Sequence, residues 1–191
     1  MRLLPLISLA ALLTAGCTSQ AVTAPTTIKA PPQTASLDWK EPYPATSPAL
    51  VFGVSRFTVT RDGWKAEISV ENTSNIAWIV GDPGFPSYRE FGVLLFPNDD
   101  LKELERRTRD GDVPGLRAAT SYTPSLPESI EPGETWRGTI AAPGALAGGL
   151  WVRIAFGPFA ADGKPPEGAQ TPVVWYTDHA HRLEQVEADP A

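Results

Sequence analysis

Residues with soft or redox chemistry are almost missing from this chain of 191 residues. It has one cysteine, Cys17, one methionine, the initiator Met1, and two histidines, His179 and His181. A single methionine leaves copper sites of the cupredoxin or methionine-rich type without ligands. A Ser-His-Asp mechanism would have to use one of the two histidines, and no Gly-x-Ser-x-Gly elbow is present to present the serine. Positive charge is the minority sign, 16 basic against 22 acidic residues, which argues against nucleic acid and against electrostatic attraction to anionic lipid. No apolar run approaches the roughly 20 residues that span a bilayer. The longest, Leu3–Leu13, has 11 residues and follows the short positive start Met1-Arg2, the layout of a secretory signal peptide.

Leu13-Thr14-Ala15-Gly16-Cys17 closes that segment. Leu13, Ala15, Gly16 and Cys17 resemble, position by position, the lipobox of bacterial lipoproteins. The resemblance covers only the first 17 residues. It implies that Cys17 receives a diacylglyceryl group, becomes the new N-terminus and is acylated on its amine as well. Two or three chains anchor stably where one binds only reversibly. No thiol would then remain for a disulfide, a thiolate nucleophile or a sulfur-ligated metal. Thr18, standing where the family places a retention Asp, permits export to an outer membrane, so the expected address is the outer leaflet of the plasma membrane or the outer membrane.

Arg2 is the only charged residue of positions 1–16, so residues 17–191 carry a formal charge of −7. Those 175 residues suffice for one domain. The stretch 17–48 holds six prolines among Ala, Thr, Ser and Gln and reads as the lipidated cysteine and a tether. Leu37 and Trp39 are its candidates for docking onto the domain. The domain is expected over 49–178, with 179–191 as an acidic tail.

Within the domain, Phe57–Thr60 and Trp64–Glu71 flank Asp62-Gly63, a type I′ turn signal. That turn would pair Arg61 with Trp64, Val59 with Ala66 and Phe57 with Ile68, placing the apolar residues on one face. Ile76–Val80 predicts a buried strand and Phe91–Phe96 another. Asn98 can cap a short helix over Asp99–Arg109, with acids first, arginines last and Gly111 behind. Glu131-Pro132-Gly133-Glu134 predicts a type II turn feeding a strand over Thr135–Ala141. Leu150–Phe156 and Val173–Tyr176 are further strands, and Asp82–Glu90 and Gly157–Gln170 are loops. Together these describe an all-β protein, an antiparallel β-sandwich of about seven strands with one short helix. Val70–Ser74 and Pro132–Glu134 resemble the strand-end and turn motifs of bacterial immunoglobulin-like envelope domains, some of them similar to small proteinase inhibitors. That resemblance implies an immunoglobulin-like fold and no particular activity.

Each candidate site also has a structural use. Asp178-His179-Ala180-His181 could offer two imidazoles from one strand face to a metal, or be a polar strand end; no third ligand is evident, and no metal or cofactor is expected. Asp110-Gly111-Asp112 departs from a calcium loop at Pro114. Arg106, Arg107, Arg109 and Arg117 could meet an anion or simply complement a helix C-terminus. Asn72-Thr73-Ser74 matches a glycosylation sequon. The expected partner surface follows from strand alternation: Leu150, Val152, Ile154 and Phe156 turn inward, so Trp151 and Arg153 turn outward. A hairpin through Gly144–Gly149 would set them beside Arg137, and Trp and Arg favour binding hot spots. The expectation is a non-catalytic binding or assembly module for an envelope protein. An inhibitor of an envelope protease, or an envelope hydrolase, is the alternative.

Overall fold

The computed structural model describes residues 28–81 and 91–185. In chain order the elements are β1 (Gln33–Tyr43), β2 (Leu50–Val59), β3 (Gly63–Asn72), β4 (Trp78–Val80), β5 (Gly92–Phe96), α1 (Leu101–Asp110), β6 (Arg117–Ala118), β7 (Ser121–Thr123), β8 (Ser129–Ile130), β9 (Thr135–Pro143), β10 (Trp151–Ala161), β11 (Val173–Tyr176) and β12 (His181–Arg182). Two antiparallel sheets result. One has the order β1-β2-β3-β9-β7; the other is built around β10, with β5 and β6, β4 and β8, and β11 and β12 about it.

Alternation explains the packing of the sheets. Phe52, Val54, Phe57 and Val59 of β2 and Trp64, Ala66, Ile68 and Val70 of β3 are buried, and they share one core with Val152, Ile154, Phe156 and Phe159 of β10. Phe52 stands at its centre, 5.0 Å from the Phe156 ring and 5.6 Å from Phe159. A bulge between Phe156 and Phe159 lets both rings reach the same core, since strict alternation would turn one of them out. A smaller core of Leu94, Phe96, Leu104 and Ala155 lies on the other side of the β10 sheet. It is closed by α1, whose Asp100 side chain caps Lys102 N at 2.9 Å and whose Gly111 ends it in the left-handed region. The expected helix is present, with Asn98 instead bonding Asp100 N. The type II turn is present too: Glu134 N donates to Glu131 O at 2.9 Å, with Gly133 at φ 79°.

Several expectations are corrected. The span 17–48 is not tether throughout, because residues 33–43 form β1 and pair with β2 along its length. Ala35, Leu37, Trp39 and Tyr43 turn inward with Glu41, while Thr34, Ser36, Asp38, Lys40 and Pro42 are exposed. Pro42 sits on an edge strand, where a missing N–H is tolerated. Upstream, Lys29 bridges to Ala147, so the packed domain starts before residue 49. It also runs past 178, because β12 pairs with β10 and Leu183 is buried. The β2–β3 register differs as well: Val59 faces Trp64 and Phe57 faces Ala66, making Arg61-Asp62 the turn. The partner shift is two residues, so every side chain keeps its face. Gly63 serves close approach, since a Cβ there would lie 2.3 Å from Ala142 O on β9. Finally, the expected loop after Phe156 is strand as far as Ala161. Residues 82–90, where the other expected loop falls, lie outside the described residues.

Candidate functional site

β9 and β10 do not form the expected hairpin. β9 pairs with β3 and β7, whereas β10 pairs with β4, β5, β11 and β12, so the link 144–149 crosses between sheets. Arg137 is therefore separated from Trp151 and Arg153 by the core. Trp151 does point away from that core, but it is half-buried against the small cluster under α1. Arg153 is a clear correction. Its residue is 0 % exposed, because α1 and the segment after β11 cover this face of β10.

Burying a guanidinium requires hydrogen-bond acceptors around it. Arg153 Nη1 donates to Thr177 O at 2.8 Å and to Asp178 O, and Nη2 donates to Asp99 O at 2.8 Å. The Phe96 ring lies 5.6 Å from the charge. Only Nε has no partner among the described residues. Burial pulls the Arg153 pKa down, and the charges of Asp178, Glu41, Asp99 and Asp100 oppose the shift. The Asp178 carboxyl is pushed up, first by burial and then by the Glu41 charge.

The C-terminal segment held by Arg153 is gripped from the other sheet by Glu41. This carboxylate, 4 % exposed, accepts from Trp175 Nε1 at 2.8 Å, Asp178 N at 2.9 Å and His179 N at 3.0 Å, with His179 Nδ1 at 2.8 Å. Its lone pairs are thereby used. His179 stacks on Trp39 with ring centroids 5.7 Å apart, and Thr177 Oγ1 accepts from Ile154 N at 3.0 Å. The assembly joins Asp99 ahead of α1, β10, the C-terminal segment and β1 by hydrogen bonds. His181, half-buried in β12, has its pKa lowered by desolvation. No group of three or more His, Cys, Asp and Glu able to hold a metal is formed among the described residues.

Arg137 sits elsewhere, on the outer face of the β1–β2–β3–β9 sheet. Cross-strand pairing sets Lys40, Gly53, Ser69 and Arg137 in one row. The two middle residues are small and the two ends are long and exposed, so the row is a trough of about 610 Å³. A Cβ at Gly53 would lie 2.4 Å from Ser69 Oγ and would turn that hydroxyl aside. Glu67 on its rim pairs with Arg56 at 2.9 Å, while Glu71, Thr135 and Thr139 also line it. The trough offers charges of both signs and hydroxyls, suited to hydrogen bonding a polar surface.

Other candidates resolve into structure. The Asn72 amide is buried, donating to Ile76 O at 2.7 Å and Ile130 O at 2.8 Å, so the sequon holds a corner. Arg106 and Arg107 pair with Glu103 at 2.9 and 2.7 Å. Those two bonds hold the Glu103 carboxyl at about 2. Cys17 lies outside the described residues. No protein-family model, curated protein or solved structure matches this chain.

Proposed function

We propose that this is a lipid-anchored protein of a bacterial cell envelope, held through acylated Cys17 in the outer leaflet of the plasma membrane or in the outer membrane. Its immunoglobulin-like β-sandwich is a non-catalytic binding or assembly module for an envelope protein. The observation that carries the reading is the lipobox Leu13–Cys17 ahead of an all-β domain. The buried charged groups support the non-catalytic half, since Arg153 is spent on backbone carbonyls and Glu41 on backbone N–H groups, Trp175 and His179. The contact surface is the trough carrying Lys40 and Arg137. Trp151 and Arg153 leave the contact surface and serve packing.

The test is photo-crosslinking in intact cells from a probe at Thr139, beside Arg137, followed by identification of the captured protein in wild type and Arg137→Ala. Capture of one envelope protein, reduced at least fivefold by Arg137→Ala, supports the reading. A captured protease whose activity the purified domain blocks would replace it with inhibition. Cys17→Ser should leave the chain unlabelled by a radioactive acyl precursor, and labelling that persists refutes the anchor.

A further inference from the structure

The structure shortens the connection to the membrane. Ala30 N donates to Leu146 O and Gly148 N to Ile28 O, each at 2.8 Å, so the chain is docked from Ile28 onward. Only ten residues, 18–27, separate Ile28 from Cys17. A chain of ten residues spans at most about 35 Å, whatever its conformation. The strands are themselves about 33 Å long, taking the 10 residues of β2. The end of the sandwich at which Ile28 docks is therefore held near the bilayer, and the opposite end stands away.

Pairing defines the two ends. Ile28 docks beside 144–149, at the end where β9 finishes, the Arg61-Asp62 turn lies and β10 begins. Trp151 there faces both Phe96 and Arg182, so the start of α1 and the segment 182–185 belong to the same end. Ile28 and Leu101 are the exposed large hydrophobic residues among those described, at 42 % and 38 %, and both are at this end. Its basic residues Lys29, Arg61, Lys102 and Arg182 balance Asp62, Asp99, Asp100 and Glu184. The far end is formed by the segments around 44–48, 71–77, 128–134 and 162–170. Among the described residues of those segments it exposes Glu71, Glu128, Glu131, Glu134, Asp162 and Glu167 against Lys164. An anionic bilayer repels that end and not the near one.

We propose, resting on lipidation at Cys17, that the near end lies on the lipid surface, with Ile28 and Leu101 seated among the headgroups and the acidic end facing outward. Apolar side chains at a neutral end gain by leaving water. The trough, running across the sheet midway along the strands, then opens sideways, parallel to the membrane plane.

The experiment uses full-length acylated protein in vesicles of phosphatidylethanolamine and phosphatidylglycerol, 3:1, containing a headgroup nitroxide lipid. With the Cys17 thiol acylated, a fluorophore labels only an introduced cysteine, Arg61→Cys at the near end or Thr46→Cys at the far end. Arg61→Cys removes a cation and so works against the expected result. Quenching at 61 should exceed that at 46 at least threefold. Ile28→Asp with Leu101→Asp should at least halve the quenching at 61 while leaving the melting temperature within a few degrees. Mass spectrometry of the same sample reports acylation. An unacylated chain overturns the anchor and this orientation with it. An acylated chain with equal quenching, or more at 46, or with quenching at 61 unmoved by the double variant, overturns the orientation alone.

Discussion

Arg153 is buried because the sheet it belongs to is covered on both sides. Removing it would leave Asp99 O, Thr177 O and Asp178 O without a donor, and each unmet buried group costs about 1–3 kcal/mol. Arg153→Ala should lower stability by at least about 3 kcal/mol in urea unfolding; a loss under about 1 kcal/mol would show that water replaces the guanidinium. Glu41→Gln turns an acceptor oxygen into an N–H facing other donors. A cost of about 2 kcal/mol is expected, with a double-mutant cycle against His179→Ala measuring how much passes through that ring. His181 supplies a pH effect. Its folded pKa lies below the ordinary 6.5 because burial opposes the charge. Its contribution is thus present above 6.5 and is lost as pH falls through the lowered folded value. Urea midpoints at pH 7.5 and 5.5 should differ in that sense, and His181→Gln should flatten the difference. The Asp178 carboxyl, raised by burial, has the opposite sign and acts as pH rises from the acid side.

Among the elements, β1 couples most of the molecule. It is an edge strand, yet it supplies Leu37, Trp39 and Tyr43 to the core and Glu41 to the C-terminal segment. Limited proteolysis should therefore leave a resistant fragment beginning between residues 18 and 33. A fragment starting near 49 would show that β1 is detachable. α1, by contrast, contributes one buried residue, Leu104, to a separate small cluster. Leu104→Ala should cost about 2–3 kcal/mol and leave the near-UV spectrum of the main core unchanged.

The whole molecule is a two-sheet body with its charge unevenly placed along the strands, and the proposed anchor at Cys17 would join it at the neutral end. Connector length then governs orientation. Inserting 20 Gly/Ser residues between Thr27 and Ile28 raises the coil reach to about 30 Å without touching the fold. The headgroup quenching at position 61 should fall toward that at 46 while the melting temperature holds. Retained quenching would assign the contact to Ile28 and Leu101 alone.

What the sequence determined by itself is local. Residues adjacent in the chain specify the all-β class, the existence of α1 and its Gly111 end, the Glu131–Glu134 turn and the inward faces of β2, β3 and β10, because period-two alternation and turn chemistry need no distant partner; the N-cap moved from the expected Asn98 to Asp100. β1 was legible in its alternation of Ala35, Leu37, Trp39 and Tyr43, but the buried Glu41 in that row and Pro42 beside it obscured it. Beyond the β2–β3 hairpin, only the tertiary structure decided which strands share a sheet. Alternation correctly sent Arg153 away from the main core, yet it could not reveal that α1 and residues 177–179 close over that side. The trough is likewise written in four strands, and no single stretch announces Lys40, Gly53, Ser69 and Arg137 as neighbours. Burial of a second sheet face depends on contacts far apart in sequence, and so does the meeting of Glu41 with His179, 138 residues away.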